Sequence, residues 1–360
     1  MVTSRFPPLL GGTETHVYEV ARRMSAKGLD VTVLTTDLSG QLPRYEDDGG
    51  LVVRRFPAWP RRADLYVSPT LLREITGGGY DLLHVQGVNN FLPPTALAVA
   101  HRAGIPTVVT FHSGGHSSRL RSAIRETQFR AQRPLLRRSA ALIAVCNYEV
   151  DVFSRRLGID PHEIRLIRNG AQRIPDDGSI PDVSGSPLVC SVGRLERYKG
   201  HQRLIAAMPW LLGLAPEAHL ALVGHGTYDQ QLRQLVAKLD VGHAVTFTSF
   251  DASSRGALGA LLRSSDIVAL MSDYEANPVA VMEALAFGRK VVVAATSGLT
   301  ELASQGLATA VPPSTDPAVL ARILASVAGS PTPDVPDLPT WDDCVTRLLE
   351  LYAEIFATHS

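Results

Sequence analysis

The sequence predicts an α/β protein made of two domains in tandem, each a parallel sheet covered by helices. Three observations lead there. Short apolar runs alternate with helix-length segments along the whole chain. A stretch rich in Pro, Gly, Ser and Asp at 172–187 splits that alternation into two sets. The length of 360 residues is enough for two domains of ordinary size, each with its own core. The expected organisation is a first domain over 1–171, a linker over 172–187, a second domain over 188–335 and a final helix over 340–357.

The elements follow in order. Residues 1–4 are all that remains for a strand ahead of Gly11-Gly12, so the first strand is short. A native chain a few residues longer, or a shortened edge, would account for that. A helix is expected over 13–27, with Val17, Val20, Ala21 and Met24 on one face and Gly28 as its stop. Strands are expected at 31–35, 82–85, 107–111 and 142–145, with a helix at 94–103. After the linker, strands are expected at 188–192, 220–223, 245–247, 267–270, 291–293 and 308–311. The last helix carries Val345, Leu348, Leu349, Tyr352 and Ile355 at helical spacing.

Composition narrows the class. No apolar run approaches the roughly 20 residues of a membrane span, and no secretion signal opens the chain, which predicts a soluble, cytoplasmic protein. Cys146, Cys190 and Cys344 are too few and too scattered for a disulfide framework or a zinc site, and are expected to be reduced. The net charge is zero, yet residues 1–170 hold 22 basic against 15 acidic groups and the remainder 13 against 20. Much of the excess lies between Arg119 and Arg138, where seven Arg face only Glu126. A solvated face explains this stretch most simply; weak peripheral contact with an anionic membrane or a phosphate-bearing acceptor is the functional alternative. Nucleic acid is not expected as a partner, because charge balances overall and few aromatics accompany the arginines.

The chemistry gathers in two places. In 271–288, Glu275 stands before a helix and Glu283 inside it. Pro278 suits the first helical position and Gly288 the stop. The amides of Val279, Ala280 and Val281 would then be free at the positive end of the helix dipole, which suits an anion. Glu283 would lie about 7–8 Å further along, within reach of another part of the same ligand. In 193–200, the strand 188–192 runs into Gly193-Arg194-Leu195-Glu196-Arg197-Tyr198-Lys199-Gly200. Its cations Arg194 and Lys199 stand just past a strand end, where ligands of open parallel sheets bind. Lysine is scarce here, four against thirty-one Arg, so Lys199 is no accident of a lysine-rich surface.

Four motifs in order, the 193–200 stretch, Gly224-His225-Gly226, Ser272-x-x-Glu275 and Glu283-Ala284, resemble the large family of retaining, nucleotide-sugar-dependent glycosyltransferases. The resemblance covers nearly the whole chain. It implies the GT-B architecture, two Rossmann-like domains with parallel sheets facing across a cleft, the final helix crossing back to the first domain. It also implies transfer of a hexose-type sugar from a nucleoside-diphosphate sugar to an acceptor hydroxyl with retention of configuration. Under it, Arg194 and Lys199 hold the diphosphate and stabilise the leaving group. Glu283 takes the ribose hydroxyls, and Glu275 with the backbone of Asn277, Pro278, Val279 and Ala280 reads the hexose. Gly193, Gly224 and Gly226 bring backbone close to the nucleotide, and Gly11 and Gly12 close over the phosphates. His112 contacts the donor hexose.

Members commonly carry Gly-Phe-Gly or Gly-Phe-Pro after the first glutamate, whereas this chain has Ala276-Asn277-Pro278, so the donor sugar stays open. His84 reads as a core histidine, and His116 lies in a glycine loop that could face the acceptor. No Asp-x-Asp triplet occurs, and no metal or other cofactor is expected. The acceptor, a glycan, a lipid-linked species or a small metabolite, is not encoded by these motifs. A nucleotide-sugar epimerase or phosphorylase, or a silent sugar-nucleotide binder, would share the architecture. A nicotinamide dehydrogenase is disfavoured because neither Gly11-Gly12 nor 224–229 completes G-x-G-x-x-G.

Overall fold

The computed structural model describes residues 1–9, 11–60, 66–112, 119–178, 183–250 and 254–359, with the side chains of 119–126 and 359 excepted. The chain divides into two units: Met1–Gly170 together with Pro339–Ser360, and Ala171–Leu338.

In the first unit, β1 (Thr32–Asp37) pairs in parallel with β3 (Leu51–Pro57), and β2 (Tyr45–Asp48) returns antiparallel on its outer side. A second set, β4 (Leu83–Gln86), β5 (Thr107–Thr110), β6 (Ala141–Ala144) and β7 (Ile164–Leu166), is wholly parallel. Val2 joins the two sets. It bridges in parallel to Leu34 on one side and to Val85 on the other, so the expected short first strand is a single bridging residue at the middle of the sheet. The helices are α1 (Gly12–Ala26), α2 (Pro69–Gly77), α3 (Leu92–Arg102), α4 (Arg119–Arg137) and α5 (Asn147–Leu157). The apolar faces of α2, α3, α4 and α5 share one core, in which Leu71, Ile75, Leu92, Leu97, Phe111 and Phe153 are fully buried, and α1 buries Val17, Val20, Ala21 and Met24.

The sequence reading passed over the β2–β3 hairpin and α2. Tyr45-Glu-Asp-Asp is exposed and charged because β2 is an edge strand, and β3 mixes buried Leu51 and Val53 with Arg54 and Arg55. In α4 the described core contacts are Phe129, Gln132 and Leu136, while Arg130, Arg137 and Arg138 face solvent.

The second unit holds β8 (Leu188–Val192), β9 (His219–Val223), β10 (Val245–Thr248), β11 (Ile267–Leu270), β12 (Lys290–Ala294) and β13 (Thr309–Val311). Their order is β10-β9-β8-β11-β12-β13, all parallel. Renumbered within the unit this is 3-2-1-4-5-6, the doubly wound order that reverses between its first and fourth strands. The helices α6 (His201–Leu214), α7 (Asp229–Lys238), α8 (Arg255–Ser264), α9 (Val279–Ala286), α10 (Leu299–Ser304) and α11 (Pro317–Gly329) cover it. Its central strands β8, β9, β11 and β12 are mostly apolar and buried, as cover on both faces requires, while the edge strands β10 and β13 are partly exposed.

The stretch at 172–187 is not free chain where it is described. Ile174 is in the core of the second unit, Arg173 Nε donates to Ala286 O at 2.7 Å, and Asp176 pairs with Arg263. Pro, Gly and Ser there mark turns against a surface rather than a tether. The final helix, α12 (Trp341–His359), belongs to the first unit and buries Trp341, Cys344, Val345, Leu348, Leu351, Tyr352 and Ile355. All three cysteines are free and buried. Among the described residues no helix is long and apolar enough to cross a membrane.

Candidate functional site

The second unit places its charged residues at the point where strand order reverses. The loops after β8 and β11 leave neighbouring strands side by side, the position at which open α/β sheets bind ligands. Lys199 ends a single 3₁₀ turn (Arg197–Lys199) in the first loop, and its Nζ lies 2.5 Å from Glu275 Oε1 in the second. Ser272 Oγ donates to the same carboxylate oxygen at 2.8 Å. Both partners are mostly buried, at 15% and 12% exposure. Burial opposes the Lys199 charge, and the Glu275 carboxylate more than offsets it, so the ammonium titrates above its ordinary range.

Tyr198 supports both cations: its ring lies under Lys199 Nζ at 5.4 Å and Arg194 Cζ at 6.0 Å, and Arg194 Nη2 donates to its hydroxyl at 2.7 Å. Beneath the loop, His201 on α6 is fully buried and donates from Nε2 to Arg194 O at 3.2 Å, while Nδ1 meets Ser191 Oγ at 3.1 Å. Burial pushes its pKa down to about 4.

The Glu275 backbone is clamped by Ser297, whose hydroxyl donates to Glu275 O at 2.7 Å and accepts from Glu275 N at 2.8 Å. Pro278 is the residue capping α9 in extended conformation, not its first helical residue. The helix therefore opens at Val279, and Val281 N–H is already taken by Pro278 O at 3.0 Å. Of the three amides expected to be free, those of Val279 and Ala280 lack a protein acceptor among the described residues. Asn277, just before the cap, is half-buried. Further along α9, Glu283 is 7% exposed and its Oε1 accepts from Arg255 Nη2 at 2.6 Å. The Arg255 partner is not foreseen from the sequence.

Gly193, Gly224 and Gly226 lie where two loops meet, and at Gly224 and Gly226 that packing leaves no room for a side chain. Gly193 N–H donates to Val223 O at 2.9 Å and Leu195 N–H to His225 O at 2.8 Å, so the loops after β8 and β9 lie backbone to backbone. Gly224 sits at φ 144°, and a side chain there would strike Gly193 O. The close approach that demands glycine at 224 and 226 is to the neighbouring loop.

In the first unit, Gly11 caps α1 and accepts from Thr15 N–H at 2.9 Å, and Gly12 is the first helical residue, one position before the expected start. His112 follows β5 with φ 41°, a left-handed conformation uncommon for a side-chain-bearing residue. Its Nε2 lies 2.7 Å from Gln86 Oε1, and its ring packs edge-on against His16 with centroids 4.4 Å apart. Burial, and then the neighbouring His16 and His84, keep His112 well below its ordinary pKa and hence neutral. His84 is a satisfied core residue, bonded to Tyr352 Oη at 2.5 Å and Thr110 Oγ1 at 2.7 Å. His116 lies outside the described residues. Among the described residues no group of three or more His, Cys, Asp or Glu could hold a metal ion.

Several of these partners escaped sequence reading. Arg255 and Ser297 are remote from the residues they hold and carry no spacing signal. Gln86 had one, a polar residue at the end of a fully buried strand. His16 had another, an imidazole on the apolar face of α1.

A doubly wound sheet with paired cation and carboxylate at its switch point, preceded by a second parallel-sheet unit, defines an α/β protein of the GT-B class. The chain shares that fold with sucrose-phosphate synthase from Thermosynechococcus elongatus (TM-score 0.78, 23% identity, 99% of this chain and 98% of that one covered). It shares it also with Anabaena HepE in complex with UDP and glucose (TM-score 0.71, 19% identity, 98% of each chain). Residues 10–172 match the family model Glycosyltransferase Family 4, and residues 175–333 match Glycosyl transferases group 1. Together these span well over half of the chain, which belongs to that glycosyltransferase family and is a glycosyltransferase. Glycogen synthase of Mycobacterium tuberculosis is a relative at 28% identity, with 92% of this chain and 86% of that protein covered.

Proposed function

We propose that this glycosyltransferase moves a hexose-type sugar from a nucleoside-diphosphate sugar to an acceptor hydroxyl, with retention of configuration and without a metal ion. The observation that carries the reading is the Lys199–Glu275 pair at the switch point of the second sheet, with Arg194 on the same loop as Lys199 and the free amides of Val279 and Ala280 after Glu275. When the bond between the sugar C1 and the diphosphate breaks, the electron pair leaves with the phosphate. Arg194, Lys199 and the α9 amides supply positive charge that is in place beforehand, which lowers the barrier without reorganisation. Glu275, held by Ser272 and Ser297, takes a hexose hydroxyl. Glu283, steadied by Arg255, takes the ribose. On the first unit, Gly11 and Gly12 lend backbone to the phosphates and the neutral His112 accepts from a hexose hydroxyl. The UDP and glucose of the Anabaena protein support the donor class assigned here.

Metal independence follows from that charge inventory, since two cations and two amides can neutralise a diphosphate. A weak peripheral contact with an anionic membrane through α4 is the further partner assigned, through Arg130, Arg137 and Arg138 on its solvent side. Calorimetric titration with UDP, GDP, ADP and dTDP and their hexose conjugates tests the reading. One nucleotide series should bind, and Lys199→Ala and Glu283→Ala should each weaken it about tenfold or more. No binding by any series would overturn it. Activity should survive EDTA; loss restored by magnesium would refute the metal-independent part.

A further inference from the structure

Two buried polar side chains stand beside His112 with no part in the donor chemistry above. Gln86, 2% exposed at the end of β4, offers its Oε1 to His112 Nε2 at 2.7 Å. A carboxamide oxygen only accepts, so Nε2 carries the proton and Nδ1 keeps the lone pair. His16, 2% exposed on α1, sets its ring edge-on against His112 at 4.4 Å and donates from Nδ1 to Asn169 Oδ1 at 2.9 Å. Both leave a buried atom, His16 Nε2 and Gln86 Nε2, with no partner among the described residues. Each such atom costs about 1–3 kcal/mol. Phe at 16 or Leu at 86 would fill the space without that cost. What the carboxamide supplies in its place is a hydrogen bond to the His112 ring, and what the imidazole supplies is an edge packed against that ring together with a hydrogen bond to Asn169.

His16 has a second setting. Asn169 and Gly170 are the last residues of the first unit before the chain leaves it, and Trp341 stands where the chain returns. A side chain on Gly170 would collide with the Trp341 backbone, so the outgoing and returning segments touch. The His16 ring packs edge-on against Trp341 as well, with centroids 5.7 Å apart. One imidazole therefore contacts the outgoing chain, the returning chain and His112.

We propose that His16 and Gln86 are positioning residues that hold the His112 ring in one tautomer and one orientation, and that His16 couples this ring to the segment by which the chain leaves the first unit. The proposal rests on the reading of His112 as a contact to the donor hexose. A ring in that role needs a fixed acceptor direction, because a hydrogen bond weakens steeply once its angle falls below about 120°. The φ of 41° at His112 makes the loop intolerant of drift, since that backbone conformation persists only while its surroundings hold it.

The test compares affinity for a nucleoside diphosphate with affinity for its hexose conjugate, using the series that wild type binds. His16→Phe keeps an aromatic ring and Gln86→Leu keeps the volume. Each should weaken the conjugate about fivefold to tenfold and leave the diphosphate unchanged, because one hydrogen bond to the hexose is lost. In a His112→Ala background neither should cause further loss. Equal weakening of diphosphate and conjugate, or losses that add to that of His112→Ala, would mean a merely structural role and overturn the proposal. If His112→Ala alone leaves conjugate affinity untouched, the donor-contact reading has failed, and the proposal with it. Asn169→Ala removes the anchor without touching the ring and should give the same selective loss at smaller size; no effect would remove the coupling. Thermal unfolding of each variant separates misfolding from these outcomes, and Gln86→Leu carries the test alone if His16→Phe does not fold.

Discussion

The two units fix their polar groups by opposite means. In the second, charges are secured in pairs, Lys199 with Glu275 on loops joined by the Asp273 N–H to Tyr198 O bond and Arg255 with Glu283 on α8 and α9. In the first, His16, His84 and His112 are neutral rings, kept so by burial and placed by hydrogen bonds from distant parts of the chain. The difference teaches that one partner suffices to fix a charge, whereas a neutral ring takes several contacts to fix its direction. Charge can be held by local loop geometry; direction takes a buried network.

The largest effect should separate the two mechanisms at the level of rate. Lys199→Ala removes a preorganised cation and should lower turnover of the donor about 10²–10³-fold, whereas His112→Ala should cost about tenfold, one hydrogen bond. Similar losses in steady-state assays would erase the distinction.

Acid should sharpen it next. Burial pushes His16 in the first unit and His201 in the second down to about 4 from an ordinary 6.5. Between those values the unfolded chain takes up a proton that the folded one refuses, so stability falls as pH drops from 6.5 towards 4 and is intact above 6.5. Each histidine accounts for about 3 kcal/mol over that window. His16→Phe should flatten the acid loss for peptides of the first unit only, and His201→Phe for those of the second only, when hydrogen exchange is followed unit by unit. Loss that stays equally steep in either variant would contradict the burial assigned here.

A smaller contrast concerns backbone. Gly200, at φ 77°, turns its Cα towards the Met271 carbonyl so closely that any side chain would strike it, while Gly28, at φ 89°, faces open space. Gly200→Ala should therefore destabilise by roughly 2 kcal/mol more than Gly28→Ala, which carries only the conformational cost of about 1 kcal/mol. Denaturant midpoints would show the gap. Equal midpoints would mean that the loops after β8 and β11 can separate without loss.

The same contrast explains what could be read from the sequence. The central strands of the second unit are nearly continuous apolar runs, and their bounds differ from expectation by a residue or so, because burial on both faces leaves no alternation to misread. Lys199, Glu275 and Glu283 were legible since rare charges at strand ends and helix starts stand out. The hairpin β2–β3 was not, because an exposed edge strand such as Tyr45–Asp48 has the composition of a loop. His16 reaches Asn169 across 153 residues and His84 reaches Tyr352 across 268, and no spacing rule spans such separations. The packing of Gly224 against Gly193 O is not legible for a related reason: glycine announces a close approach without naming what approaches.

The placement of α12 bears on how the chain is made. The second unit is one uninterrupted segment, Ala171–Leu338, and can complete itself as it leaves the ribosome. The first is begun earlier but lacks α12, whose Tyr352 supplies a partner to His84 and whose Trp341 packs beside His16. Synthesis of the intervening segment takes roughly 10–30 s at ordinary rates of translation. For that interval the nascent first unit must present an uncovered apolar surface, a natural place for a chaperone to bind, and it is sealed only once α12 has been made.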